Sequence, residues 1–85
     1  MALKTEYRHV GFEMYEQGAL HTKWECLCQN HGTVSGIVYW DNKFRTYSFK
    51  PRDGTSYDVV RLNEIGEFCR LLGVFELKER RCACE

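Results

Sequence analysis

VVRLNEIGEFCRLL, residues 59–72, decides the fold. Val59, Leu62, Ile65, Cys69 and Leu72 recur every three to four positions, and Phe68 widens their stripe. Arg61, Glu64, Glu67 and Arg70 fall outside it. That spacing predicts an amphipathic helix with one apolar face. Asp58 stands where an N-cap belongs, and Gly73 where a C′ residue would stop the helix. A lone helix of this kind must bury its stripe against another element.

What precedes it alternates with period two, the signature of half-buried strands. In residues 5–15, Val10, Phe12 and Met14 share a face, with Arg8 at its edge. In 22–29, Trp24, Cys26 and Cys28 share one face, and Asn30-His31-Gly32 then supplies turn chemistry. In 34–40, Val38 and Trp40 oppose Ile37 and Tyr39, and Gly36 marks a bulge or a close approach. In 44–50, Arg45, Tyr47 and Phe49 oppose Phe44, Thr46 and Ser48. Pro51 ends pairing because it has no N–H to donate. Asp53-Gly54 is another turn. Strands followed by one helix imply an α+β domain: an antiparallel sheet of three to four strands with a C-terminal helix packed on one face. We assign residues 1–77 to this domain, with Val74–Leu77 as a short strand or docked loop and 78–85 as a polar tail.

Size and charge exclude several functions. A chain of 85 residues allows one small domain. Aromatics at 14% exceed what disordered chains carry, so a packed core is expected. Twelve basic residues balance twelve acidic ones, which removes the broad positive field of a general nucleic-acid binder. The apolar runs are too short to span a bilayer. MALKTEYRHV has no apolar h-region, so a cytoplasmic setting with reduced thiols is expected.

Three constellations invite functional readings. Trp40, Lys43, Arg45, Tyr47, Lys50 and Arg52 interleave rings with cations, as single-stranded nucleic acid requires. The same rings are also the large apolar groups that the helix stripe needs, so most are expected in the core. Cys26-x-Cys28-x-x-His31 and Cys82-x-Cys84 offer zinc ligands, but the cysteine spacing is poor for a tetrahedral site. No metal or cofactor is assigned, and Cys69 on the helix stripe is read as packing. No catalytic motif is present, and His9, His21 and His31 are isolated, so no enzyme activity is expected.

W-x-C-x-C-x-N-x-G-x-x-x-G-I-V-Y-W, then F-R-T-Y-S-F-K-P, then D-V-V-R-L-N-E-I-G-E-F-C-R-L-L resembles a group of small uncharacterised phage and bacterial proteins. The likeness runs from Trp24 to Leu72. Its specific parts are Gly36-Ile37 with Trp40, Arg45-x-Tyr47-x-Phe49-x-Pro51, and Leu62-x-Glu64-Ile65 with Phe68. Ser35, Phe44 and Gly66 depart from the pattern, and Gly66 costs a helix up to about 1 kcal/mol against alanine. The resemblance implies a sheet-plus-helix domain of phage origin and no known activity. The resulting expectation is a non-catalytic protein-binding module, a phage accessory protein that engages or inhibits a host or defence protein. Its contacts would be the sheet surface left free by the helix, with Tyr39, Lys43, Phe44 and Arg45 as binding residues. Nucleic-acid binding and a zinc-stabilised fold are the alternatives, and a homodimer through an exposed strand edge is a further one.

Overall fold

The computed structural model describes residues 3–29 and 32–84, with side chains through Leu77. The chain forms β1 (Val10–Gln17), β2 (Thr22–Cys28), β3 (Val34–Asp41), β4 (Thr46–Pro51) and α1 (Val59–Cys84). The strands make one antiparallel sheet in the order β1-β2-β3-β4. The helix lies over β4 and reaches β1, giving a small α+β domain.

Cross-strand pairs carry the period-two pattern into one buried face. Phe12 pairs with Cys26, Trp24 with Val38, Val38 with Phe49, and Trp40 with Tyr47. Directly opposed residues share a face, so these side chains all point to the helix. Onto them α1 lowers Ile65, Phe68 and Leu72, all buried. Phe68 is fully buried, stacks on Phe12 at 3.9 Å between centroids, and meets the Trp24 ring edge-on at 5.2 Å. Burying one such side chain is worth about 1.5–3 kcal/mol. Gly36 is a close approach, as expected: a Cβ there would lie 2.7 Å from the Lys50 carbonyl oxygen and closer still to the nearest atom of the Phe49 ring. Ser35 is the extra residue of a bulge between the Cys26–Gly36 and Leu27–Val34 pairs.

Strand ends shift by one or two residues from the sequence reading, and four larger differences shape the molecule. First, β1 begins at Val10 rather than residue 5. The chain reverses at Arg8-His9, where the Tyr7 N–H donates to Val10 O and the Phe12 N–H to Thr5 O, both at 2.8 Å. Arg8 therefore leaves the face, and Tyr7 tucks into the core. The turn is pinned to the helix, since the His9 N–H donates to Glu64 Oε1 at 3.0 Å and His9 Nδ1 meets Glu64 Oε2 at 2.8 Å. Burial works to raise the Glu64 pKa, but these His9 contacts outweigh it and hold the carboxyl below its ordinary value.

Second, β4 starts at Thr46, so Phe44 and Arg45 lie in the turn. Arg45 has φ 55, the left-handed region, which breaks the strand alternation expected there. Third, the buried stripe begins at Ile65: Val59 and Leu62 are exposed, while Arg61 and Glu64 of the same turns are half-buried, so the first turns present a rotated face to the sheet. The Asp58 cap is present: Asp58 Oδ1 accepts the Arg61 N–H at 2.9 Å, and Oδ2 accepts Arg61 Nη1 at 2.8 Å. The Arg61 backbone N–H, first among its neighbours, lowers the Asp58 pKa.

Fourth, α1 does not stop at Gly73. It continues through Val74–Leu77, where a short strand or loop was expected, and its backbone runs to Cys84 in the segment read as a tail. Gly73 does not adopt positive φ; only Gly32 and Gly54 do among the described glycines. The reason lies three residues on, at Glu76. Its Oε1 accepts the Tyr47 hydroxyl at 2.5 Å and its Oε2 the Thr22 hydroxyl at 2.9 Å. Those bonds exist only if the helix keeps its register past the glycine.

Candidate functional site

Two surfaces lie outside this core, and the sequence-predicted binding residues divide between them. Lys43, Phe44 and Arg45 occupy the β3–β4 turn. Tyr39 lies on the sheet face opposite the helix, paired with Ser48.

The turn is well fixed. Asp41 closes it twice: its Oδ1 accepts the Lys43 N–H at 2.9 Å, and its carbonyl oxygen accepts the Arg45 N–H at 2.7 Å. Asn42 Oδ1 accepts the Trp40 indole N–H at 2.9 Å, tying the turn to the sheet. The left-handed Arg45 then returns the chain to β4. At the tip stands Phe44, 67% exposed, with Lys43 Nζ 5.6 Å from its ring centroid. Phe44 is thus an exposed aromatic on a fixed backbone, with a cation on each side in sequence.

The second surface is the helix-free sheet face. Leu27, Val34, Ile37 and Tyr39 form its partly exposed apolar centre. One lateral row reads Glu13–Glu25–Ile37–Lys50, by the pairs Glu13–Glu25, Glu25–Ile37 and Ile37–Lys50. A shallow trough of ≈ 530 Å³ runs between Glu25, Val34, Ile37, Lys50 and Arg52.

The other candidates are absorbed by the fold. Tyr47, proposed as a stacking ring, is buried, and burial together with its hydrogen bond to Glu76 pushes its pKa up to about 12. Trp40 is half-buried, stacked on His21 at 3.9 Å and edge-on to Tyr47 at 5.4 Å. Lys50 and Arg52 are exposed at the far end of β4 from Lys43, so the six residues of the aromatic and basic motif do not share one face. Cys26 is fully buried, and burial raises its thiol pKa; burial pushes that of Cys69 up to about 11. Cys26, Cys28 and Cys69 are free thiols. His31 and the side chains of Cys82 and Cys84 lie outside the described residues. Among the described residues, no three His, Cys, Asp or Glu side chains gather as a metal would need.

The contacts of two acidic residues escaped the sequence reading. Glu64 and Glu76, both partly buried on α1, each meet a histidine that looked isolated: His9 at 2.8 Å and His21 at 3.4 Å. Beside Glu76, a cleft of ≈ 230 Å³ opens between Trp40, Arg45, Tyr47 and Leu77. Glu76 accepts from Tyr47 and Thr22, and Thr22 Oγ1 in turn accepts the Trp24 indole N–H at 2.7 Å. This connectivity ties the carboxylate to the sheet and makes it a staple between helix and strands. The signal that could have exposed Glu76 was its place four residues after Leu72, in line with the stripe; Glu64, three and a third turns earlier, lies about 120° away on the stripe's edge. No helix among the described residues is long and apolar enough to cross a membrane. Comparison with protein-family models, curated proteins and solved structures finds no match.

Proposed function

We propose that the chain is a small, non-catalytic protein-binding module that engages its partner with the β3–β4 turn. The observation that carries this reading is Phe44, two-thirds exposed at the tip of a turn held by Asp41. A rigid, exposed aromatic loses little entropy on docking and buries a large area. Lys43 and Arg45 on either side fit a partner whose apolar pocket is rimmed by carboxylates. The partner as a host or defence protein, the chain as a phage accessory protein and the cytoplasmic setting are parts of this proposal. The sequence resemblance supports the phage assignment.

The test is parallel affinity capture from bacterial lysate with the wild type, Phe44→Ala and the double variant Lys43→Glu/Arg45→Glu. All three substitutions are on exposed turn residues, so the melts should coincide within about 0.5 kcal/mol. A protein held by the wild type and lost by both variants supports the reading; identical captured sets from all three refute it. Titration with a short single-stranded oligonucleotide at low and high salt completes the test. Steeply salt-dependent binding, abolished by Lys50→Glu/Arg52→Glu, would move the function to nucleic acid.

A further inference from the structure

We infer that the helix-free sheet face pairs with the same face of a second copy, about a two-fold axis parallel to the strands. The charge pattern selects this arrangement. Carboxylates Glu13 and Glu25 stand on β1 and β2, and Lys50 on β4, with Ile37 and Tyr39 between them on β3. Glu13 and Glu25 are directly opposite each other, which is repulsive across a strand pair. No ion pair among the described residues involves Glu13, Glu25 or Lys50. A partner surface that brings a cation over β1 and a carboxylate over β4 would pair Glu13 and Lys50.

A second copy does this. Rotation about an axis along the strands lays β4 of one copy over β1 of the other, a separation of three strand spacings, roughly 14 Å, matched on both sheets. Each Lys50 then faces the partner's Glu13, and each Glu25 lies over β3 of the partner, next to that contact. Rotation about an axis across the strands through this row would set Glu13 on Glu13 and Glu25 on Glu25, so the charges of the row favour the first arrangement.

The edges of the sheet are less suited to pairing. A register shift between Met14 and Glu16 bulges β1, the Glu6–Gly11 bridge covers its start, and Pro51 closes β4. The face is four strands wide, roughly 19 Å, by about 20 Å long. That is small against a standard interface of about 800 Å² a side, so the dimer is weak and salt-sensitive. Because the axis runs along the strands, both Phe44 tips emerge at the same end. The inference does not depend on what Phe44 binds.

The test is sedimentation equilibrium of the full chain from roughly 10 µM to 1 mM at low and high salt. The wild type should dimerise, more weakly at high salt. Lys50→Glu and Glu13→Lys/Glu25→Lys should each weaken the homodimer at least about tenfold. Mixing the two variants should restore association, because each then faces the charges it lacks. Far-ultraviolet circular dichroism confirms that the variants are folded, and Phe44→Ala should associate like the wild type. A wild type that stays monomeric throughout overturns the inference, as do variants that self-associate normally or a mixture no tighter than its components.

Discussion

Replacing Tyr47 with phenylalanine removes one oxygen atom and tests why the helix is as long as it is. The Tyr47 hydroxyl donates to Glu76 Oε1 at 2.5 Å and accepts the Thr22 N–H at 3.1 Å. Tyr47 is 5% exposed and the Glu76 side chain 13%, so water from the adjoining cleft replaces the lost bonds only in part. A hydrogen bond to a charged group is worth about 1.5–3 kcal/mol, and the substitution also leaves the Thr22 N–H without this acceptor. The expected loss is about 2 kcal/mol. An 85-residue domain has roughly 4–13 kcal/mol of stability in all, so the loss is a large fraction and lowers Tm by roughly 10 °C.

The assay is urea denaturation of the wild type, Tyr47→Phe, Glu76→Ala and the double variant. The double-mutant cycle should return a coupling of at least about 1 kcal/mol. Alkaline pH offers an independent reading. Burial and the Glu76 bond raise the Tyr47 pKa from 10.0 to about 12, so the fold favours the neutral phenol. Its contribution is complete below pH 10 and disappears as the pH climbs toward 12. Tyr7 is raised to about 12 as well and is present in both proteins, so Tyr47→Phe should lose less stability over that interval than the wild type, not none. A Tyr47→Phe protein within about 0.5 kcal/mol of the wild type, with no coupling to Glu76, would refute the staple.

Other substitutions follow from the same geometry. Gly73→Ala should stabilise by up to about 1 kcal/mol in thermal melts, since a Cβ there has nothing within 4 Å and the residue is helical; destabilisation would mean that Gly73 ends the helix after all. Gly36→Ala should destabilise by about 1–3 kcal/mol, because its methyl group meets the Phe49 ring and the Lys50 carbonyl. Glu64→Gln should flatten the acid limb of the stability curve. The wild-type carboxyl is held below its ordinary pKa of 4.5, so its contribution is present above that pH and is lost as pH falls through the depressed value, as acid titration followed by circular dichroism would show.

Much of the sheet was legible because cross-strand partners share a face. The alternation that grouped Val10 with Phe12, Val38 with Trp40, and Tyr47 with Phe49 is the grouping the pairs enforce. Asp58 was legible for a local reason, since its carboxylate acts only three residues away. The helix end was not, because what carries α1 past Gly73 is a set of bonds to Thr22 and Tyr47, 54 and 29 residues distant. The same holds for the turn at His9, fixed by Glu64 55 residues away. In the candidate site, residue types pointed to Phe44 as a contact, but its place in a turn depends on the left-handed Arg45, which carries no glycine or asparagine signal. Tyr39 was read with it and lies on another surface, because turn length sets which residues leave the ladder.

The central claim is that residues 59–72 coil over the sheet and shield its rings. Nuclear Overhauser effects from the Phe68 ring test it most directly. With Phe12 stacked at 3.9 Å and Trp24 edge-on at 5.2 Å, strong cross-peaks to both rings are predicted. Their absence, with Phe68 instead showing only contacts within its own helix, would contradict the account.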